Sequence, residues 1–252
     1  MWNEGWMAAV AIAVFGVAGL VKGVVGLGLP TVSMALLALF MPPAQAAALL
    51  LLPSLVTNVV QMRPVNTLPL LLKRLGGMQL GIMAGTLGGM AIWGGVGGLP
   101  GARMALGLAL VVYGFWGLCG PQWLMPQRHQ AWSGLVVGFV TGGITALTGV
   151  FVVPAVAFLQ SLGLARQALM QAMGLCFTTS TLALGAGLLW SGQGLGAEGS
   201  GWVPGLLASA LMLIPALAGM YCGELLRQKL SPARFKKVLM LSFLLLGVYL
   251  CL

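Results

Sequence analysis

The residues best suited to chemistry gather in one stretch, Lys22-Gly23-Val24-Val25-Gly26-Leu27-Gly28-Leu29-Pro30. Lys22 is the one charge that lies well inside an apolar run. Glycine and proline weaken a helix, and a cation in hydrocarbon is costly without a partner. A weaker copy follows in the second half, Thr141-Gly142-Gly143-Ile144-Thr145-Ala146-Leu147-Thr148-Gly149, with Pro154 beyond it. A broken helix exposes backbone N–H groups, and a helix N-terminus carries partial positive charge. Pro30 and Pro154 suit the first turn of a short helix that restarts near mid-membrane and aims its N–H groups inward. Lys22 adds a full charge, Thr31 and Ser33 add hydroxyls, and Thr145 and Thr148 approach from the other half. Such a donor set binds anions.

The candidate binding residues are therefore Lys22, Gly26, Gly28, Pro30, Thr31 and Ser33 at the first break, with Thr145, Thr148 and Pro154 at the second. Two further helices add polar faces. Ser54, Thr57, Asn58 and Gln61 recur at three- and four-residue spacing, and Gln171, Thr178 and Thr179 do so approximately. Plainer roles stand beside these. Lys22 can snorkel to a headgroup, membrane Ser and Thr commonly bond their own backbone, and glycines serve packing. His129, beside Arg128 in a polar linker, reads as a solvated residue, and Glu224 as an i,i+3 partner of Arg227.

The elements that must position this set are membrane helices. The chain is 60% hydrophobic and 6% charged over 252 residues, a composition no water-soluble domain sustains. The net charge of +9 is spread between apolar runs, which reads as topology rather than nucleic-acid binding. With one His, no Asp, and Glu4, Glu198 and Glu224 as the only acids, neither a hydrolytic constellation nor a metal cluster is expected. No cofactor is expected either. Cys119, Cys176, Cys222 and Cys251 lie in apolar segments and form no C-x-x-C pair. The first apolar run lacks a basic leader and is not read as a removable signal peptide.

Long apolar runs are expected over 6–29, 44–62, 76–96, 104–118, 131–153, 166–190, 202–222 and 235–252, with short ones at 31–41 and 154–163. A Gly77, Gly81, Gly85 stripe suits close helix packing, and Arg63, Pro64, Asn66, Lys73 and Arg74 read as a loop. Trp2, Trp6, Trp123, Trp132, Trp190 and Trp202 read as interfacial anchors. If each half opens with a hairpin that enters and leaves on one side, the basic residues sort cleanly. Arg63, Lys73, Arg74, Arg128, Arg166 and the five from Arg227 to Lys237 fall on one side, and only Arg103 on the other. Eight simple crossings would instead invert the positive-inside rule. The expected fold is thus an all-α polytopic membrane protein of two inverted repeats. Each is a hairpin of one long and one short broken helix followed by three transmembrane helices. The repeats are 1–120 and 131–252 with a linker at 121–130, and both termini lie outside the cytoplasm. The turn Leu99-Pro100-Gly101-Ala102-Arg103 is echoed by Leu230-Ser231-Pro232-Ala233-Arg234.

Those features together resemble the TauE/SafE family of sulfite and organosulfonate exporters, also called the 4-toluene sulfonate uptake permease family. The resemblance is carried by Gly23 to Pro30, Pro42-Pro43, Ala46 to Thr57-Asn58, then Gly138 to Pro154, Leu162-Gly163, Ala168 and Thr178-Thr179-Ser180. Many members have a denser glycine cluster where this chain has Val24-Val25. The resemblance implies an inner-membrane transporter of small, often sulfur-containing anions. A membrane assembly factor without solute flux is the alternative from another class.

Overall fold

The computed structural model describes residues 5–120, 124–192, 202–227, 229 and 231–252. Every regular element among them is helical: α1 (Gly5–Val25), α2 (Leu29–Leu37), α3 (Pro43–Gln61), a 3-10 turn (Val65–Thr67), α4 (Leu68–Trp93), α5 (Ala102–Cys119), α6 (Gln127–Thr148), α7 (Ala155–Ser161), α8 (Arg166–Trp190), α9 (Trp202–Arg227) and α10 (Pro232–Cys251). Seven of these are long and apolar enough to cross a membrane, namely α1, α3, α4, α5, α6, α8 and the described part of α9. The chain is a polytopic α-helical membrane protein. Glu4, Glu198, Trp2, Trp123 and most of the Gly-rich loop at 191–201 lie outside the described residues, as do the side chains of Asn66 and Trp202. Trp132 and Trp190 are exposed near helix ends, where interfacial anchors belong.

Several boundaries differ from expectation: α1 ends at Val25 and α6 at Thr148 rather than at 29 and 153, and α9 runs to Arg227 and α10 starts at Pro232, both inside the expected basic loop. Helix α4 begins at Leu68, so Lys73 and Arg74 are helical rather than in a loop. Pro69 sits in the first turn, where its missing N–H costs nothing. The Arg74 guanidinium donates to Gln130 Oε1 at 2.9 and 3.1 Å and to Leu162 O at 3.2 Å. Residues Gln127–Gln130, expected in the linker, form the first turn of α6. The expected Glu224–Arg227 ion pair is not formed among the described residues, and Glu224 is exposed.

Lipid tails are as apolar as leucine, so helices here associate by close packing over small residues. Glycine provides that closeness twice. On α4, a Cβ added to Gly81 would lie 2.2 Å from Leu135 O, and one on Gly85 would lie 2.1 Å from Phe139 O of α6. On α1, a Cβ added to Gly19 would lie 2.1 Å from Ala216 O, and one on Gly23 would lie 2.2 Å from Met220 O of α9. These two pairs, α4 with α6 and α1 with α9, are the most extensive in the fold, followed by α5 with α10.

The same juxtapositions give each helix its sense. Numbers rise together along α4 and α6 (Gly77 by Ala131, Gly85 by Phe139) and along α1 and α9 (Gly16 by Gly219, Leu20 by Gly223). They rise together along α1 and α3, where Lys22 meets Asn58 and Gly26 meets Gln61. They also do so along α4 and α8, where Gln79 meets Cys176 and Met90 meets Gly187. They run oppositely along α3 and α8 (Leu51 by Gly185, Met62 by Gly174) and along α5 and α10 (Gly107 by Gly247, Gly114 by Met240). Helices α1, α3 and α9 therefore share one direction, and α4, α6 and α8 share the other. That α1 and α3 are parallel means α1 and α2 form a hairpin.

One end of the bundle collects the end of α3 and the starts of α4, α6 and α8. Thr67 Oγ1 donates to Gln171 Oε1 at 2.7 Å there, and Arg63, Arg74, Arg128 and Arg166 sit on those termini. Arg103 lies at the opposite end, where Cys251 Sγ reaches Met104 O.

The packing predicts a contrast along one helix. Gly81→Ala forces backbone apart from backbone and is expected to cost about 1–3 kcal/mol, read as a lower unfolding temperature in detergent. Gly88 has nothing within 4 Å of an added Cβ, so Gly88→Ala is expected to leave that temperature unchanged or slightly raised.

Candidate functional site

The first break follows from two glycines. Gly26 and Gly28 adopt φ of +79° and +109°, a left-handed backbone that side chains disfavour. Helix α1 ends there, and α2 restarts with Gly28 as N-cap and Pro30 within its first two residues. The first backbone bond of α2 runs from Val32 N to Gly28 O at 2.6 Å. The amides of Leu29 and Thr31 therefore form the open donor end of the helix. Thr31 Oγ1 and Ser33 Oγ are fully buried and have no hydrogen-bond partner.

One turn before this break, Lys22 is 3% exposed. It does not snorkel. Its ammonium donates to Thr57 Oγ1 at 3.1 Å and to Asn58 Oδ1. Asn58 Nδ2 donates to Ser54 Oγ at 3.2 Å, and Ser54 Oγ donates to Thr181 Oγ1 at 3.2 Å. Thr181 closes the chain by donating to Phe177 O at 2.7 Å. A continuous polar chain thus runs from α1 through α3 to α8. Beyond it Gln61 Nε2 donates to Gly26 O at 3.0 Å and Met170 O at 3.2 Å, which pins the break to α3 and α8. A lysine ammonium has three hydrogens, so Lys22 keeps one beyond Thr57 and Asn58. No carboxylate pairs with it among the described residues, where Glu224 is the only acid and is exposed.

The second break is built differently. Gly149 has φ of +70° and its N–H bonds Thr145 O at 2.8 Å, as Gly26 N bonds Lys22 O at 2.7 Å. Thr145 thus stands where Lys22 stands in the first half. Its hydroxyl donates to Thr141 O at 2.8 Å, and Thr148 Oγ1 donates to Ile144 O at 2.7 Å while accepting from Val150 N at 3.1 Å. Val150, Phe151 and Val152 then run buried and non-helical to Pro154, the N-cap of α7.

The model of the family described as Sulfite exporter TauE/SafE matches residues 11–250. The chain belongs to the TauE/SafE family. It is a multi-pass membrane protein of a transporter family. Neither the curated proteins nor the solved structures compared with it gave a match.

Of the residues singled out in this TauE/SafE chain, the structure brings together Lys22, Thr57 and Asn58, with Gly26, Gly28, Pro30, Thr31 and Ser33 within the next turns. It does not bring Thr145, Thr148 or Pro154 to them. The second break lies by the end of α4, where Gly97 N meets Leu147 O at 3.4 Å and Gly97 packs on Pro43 at the start of α3. The first break lies at the end of α3, against Gln61. No contact among the described residues joins Thr145, Thr148 or Pro154 to Lys22, while Gly149 faces Met34 of α2 and Phe151 packs on Phe177 of α8 with 5.4 Å between ring centroids. Thr178 and Thr179 bond Gly174 O and Leu175 O of their own helix at 2.8 and 3.2 Å. Among the α8 side chains, Thr181 joins the chain to α3, and Cys176 accepts from Gln79 Nε2 of α4 at 3.1 Å. Ser180 Oγ, Thr86 Oγ1 and Gln79 Oε1 are buried without partners.

Ser209 is a residue the sequence reading missed. Pro53 inside α3 has no N–H, so Leu49 O loses its helical donor. Ser209 Oγ of α9 donates to Leu49 O at 2.9 Å and accepts from Leu52 N at 3.1 Å. The only signal in the sequence was that Pro53 requires an outside donor. Ser209→Ala, which leaves Leu49 O without a donor, is expected to cost about 1–3 kcal/mol. Thr179→Ala, which removes only a local bond, is expected to cost well under that, both read from thermal unfolding.

Proposed function

We propose that this TauE/SafE chain is a secondary transporter that exports small anions, sulfite or an organosulfonate, by alternating access. The observation that carries the reading is a buried cation with no carboxylate against it. Lys22 is held by two neutral oxygens one turn from the open donor end of α2, whose Thr31 and Ser33 hydroxyls lack partners. An oxyanion supplies what that set lacks, namely acceptor oxygens and negative charge. Gly26, Gly28 and Pro30 shape the approach, and Thr57 and Asn58 hold the ammonium until the anion takes it.

The moving parts of the proposal are two inverted repeats, 1–120 and 131–252, joined at 121–130. Support comes from helix senses and neighbours. Pairing α1 with α6, α3 with α8, and α4 with α9 relates helices of opposite sense. The contacts exchange accordingly: α4–α6 answers α1–α9, and α4–α8 answers α3–α9. In this reading Thr145, Thr148, Pro154, Thr178 and Thr179 line the second half's share of the path. With its basic end in the cytoplasm, the protein sits in the inner membrane with both termini outside. A negative interior then drives each anionic charge outward by about 2.3 kcal/mol per 100 mV, so export needs no coupling ion.

Sulfite flux from proteoliposomes under imposed potentials tests this. Flux is expected to follow the potential and to fall at least tenfold in Lys22→Ala. Flux that ignores potential yet requires a pH gradient overturns the uncoupled mechanism. No flux of any sulfur oxyanion, with a protein partner co-purifying, overturns transport in favour of an assembly role.

A further inference from the structure

We propose that the cleft between α5, α6, α7 and α10 is a binding site for one anionic phospholipid, separate from the Lys22 site. At the basic end of the bundle lies a cavity of about 640 Å³ lined by Trp116, Leu124, Gln160, Ser161 and Lys236. Lys236 is half-buried and makes no hydrogen bond or ion pair among the described residues. The Ser161 hydroxyl is spent on Phe158 O at 2.7 Å, whereas Gln160 is exposed with its amide free. The polar wall thus offers one unneutralised cation and an amide donor.

A second cavity of about 240 Å³ adjoins this one, and the two share Trp116 and Ala157 as lining. The second is apolar, lined by Tyr113, Val137, Val152, Pro154 and Phe158. Val112 at its edge is 54% exposed, on the face that meets the bilayer. A small oxyanion has a use for the first space and none for the second. A ligand that fills both has an anionic head and a hydrocarbon tail. The bilayer supplies one, and a lysine near a membrane surface attracts anionic headgroups. Tryptophan at the junction suits the boundary between head and tail.

The fold contains its own comparison. A cleft of about 250 Å³ between α1, α2 and α10, lined by Val21, Val32, Leu239, Phe243 and Leu246, has no charged wall. It accepts a chain without selecting a headgroup.

The test uses the full chain in detergent, with dioleoyl phosphatidylglycerol, dioleoyl phosphatidylcholine or glycerol 3-phosphate added, read by unfolding temperature and by lipid retained in native mass spectrometry. Phosphatidylglycerol is expected to raise the unfolding temperature and remain bound, and the other two are not. Lys236→Gln is expected to lower its retention about fivefold, and Lys237→Gln, on an exposed residue outside the cleft, to leave it unchanged. Equal stabilisation by phosphatidylcholine would overturn the headgroup assignment. Stabilisation by glycerol 3-phosphate alone would make this a small-anion site. Equal losses in the two lysine variants would reduce it to surface charge.

Discussion

The burial of Lys22 is the constraint around which the first half is built. An ammonium placed among apolar helices needs oxygens to replace water. Thr57 and Asn58 provide them from α3. Asn58 is in turn held by Ser54, and Ser54 by Thr181 of α8. Three helices from two halves of the chain are thereby registered on one charge. Neutral oxygens satisfy two of its three hydrogens and leave the charge itself uncompensated. A carboxylate at position 58 would have made a closed structural ion pair, whereas an amide leaves room for a negative ligand.

Irregular backbone at membrane depth survives only where it is enclosed by protein or lines a cavity. Both breaks are enclosed, and their differences carry meaning. At the first, Gln61 ties Gly26 to α8 while the hydroxyls of α2 stay unspent. At the second, Thr145 and Thr148 spend theirs on their own helix and on Val150. The fold thus holds a charged break with open donors and a neutral break with satisfied ones. Close glycine contacts of α1 with α9 and α4 with α6 hold the helices that carry these breaks against one another.

Most helices were legible because apolar runs and Pro/Gly punctuation are strong signals in a membrane chain. Helix α8 runs over the expected residues, and the Gly77, Gly81, Gly85 stripe packs closely on α6. The start of α4 was not legible, because Lys73 and Arg74 read as a loop. Their side chains reach outward from a helix whose first turns are already apolar. At the site, Lys22 with Thr57 and Asn58 could be named from charge and spacing. The face of α8 could not, since Thr178, Thr179, Ser180 and Thr181 follow one another around a whole turn and mark no one side. Thr181, three residues after Thr178, makes the contact to α3. Ser209 and Gln79 are isolated polar residues in apolar stretches, and only their neighbours across the bundle give them a role.

The most direct measurement is the unfolding temperature of the purified protein across a panel of small anions, sulfite, sulfonates and carboxylates among them, in wild type and Lys22→Ala. A ligand that binds only the folded state raises stability by mass action. The account predicts a concentration-dependent rise with a sulfur oxyanion that disappears in Lys22→Ala. An equal rise in both proteins would place the anion elsewhere and contradict the assignment of Lys22 as the charge that receives it.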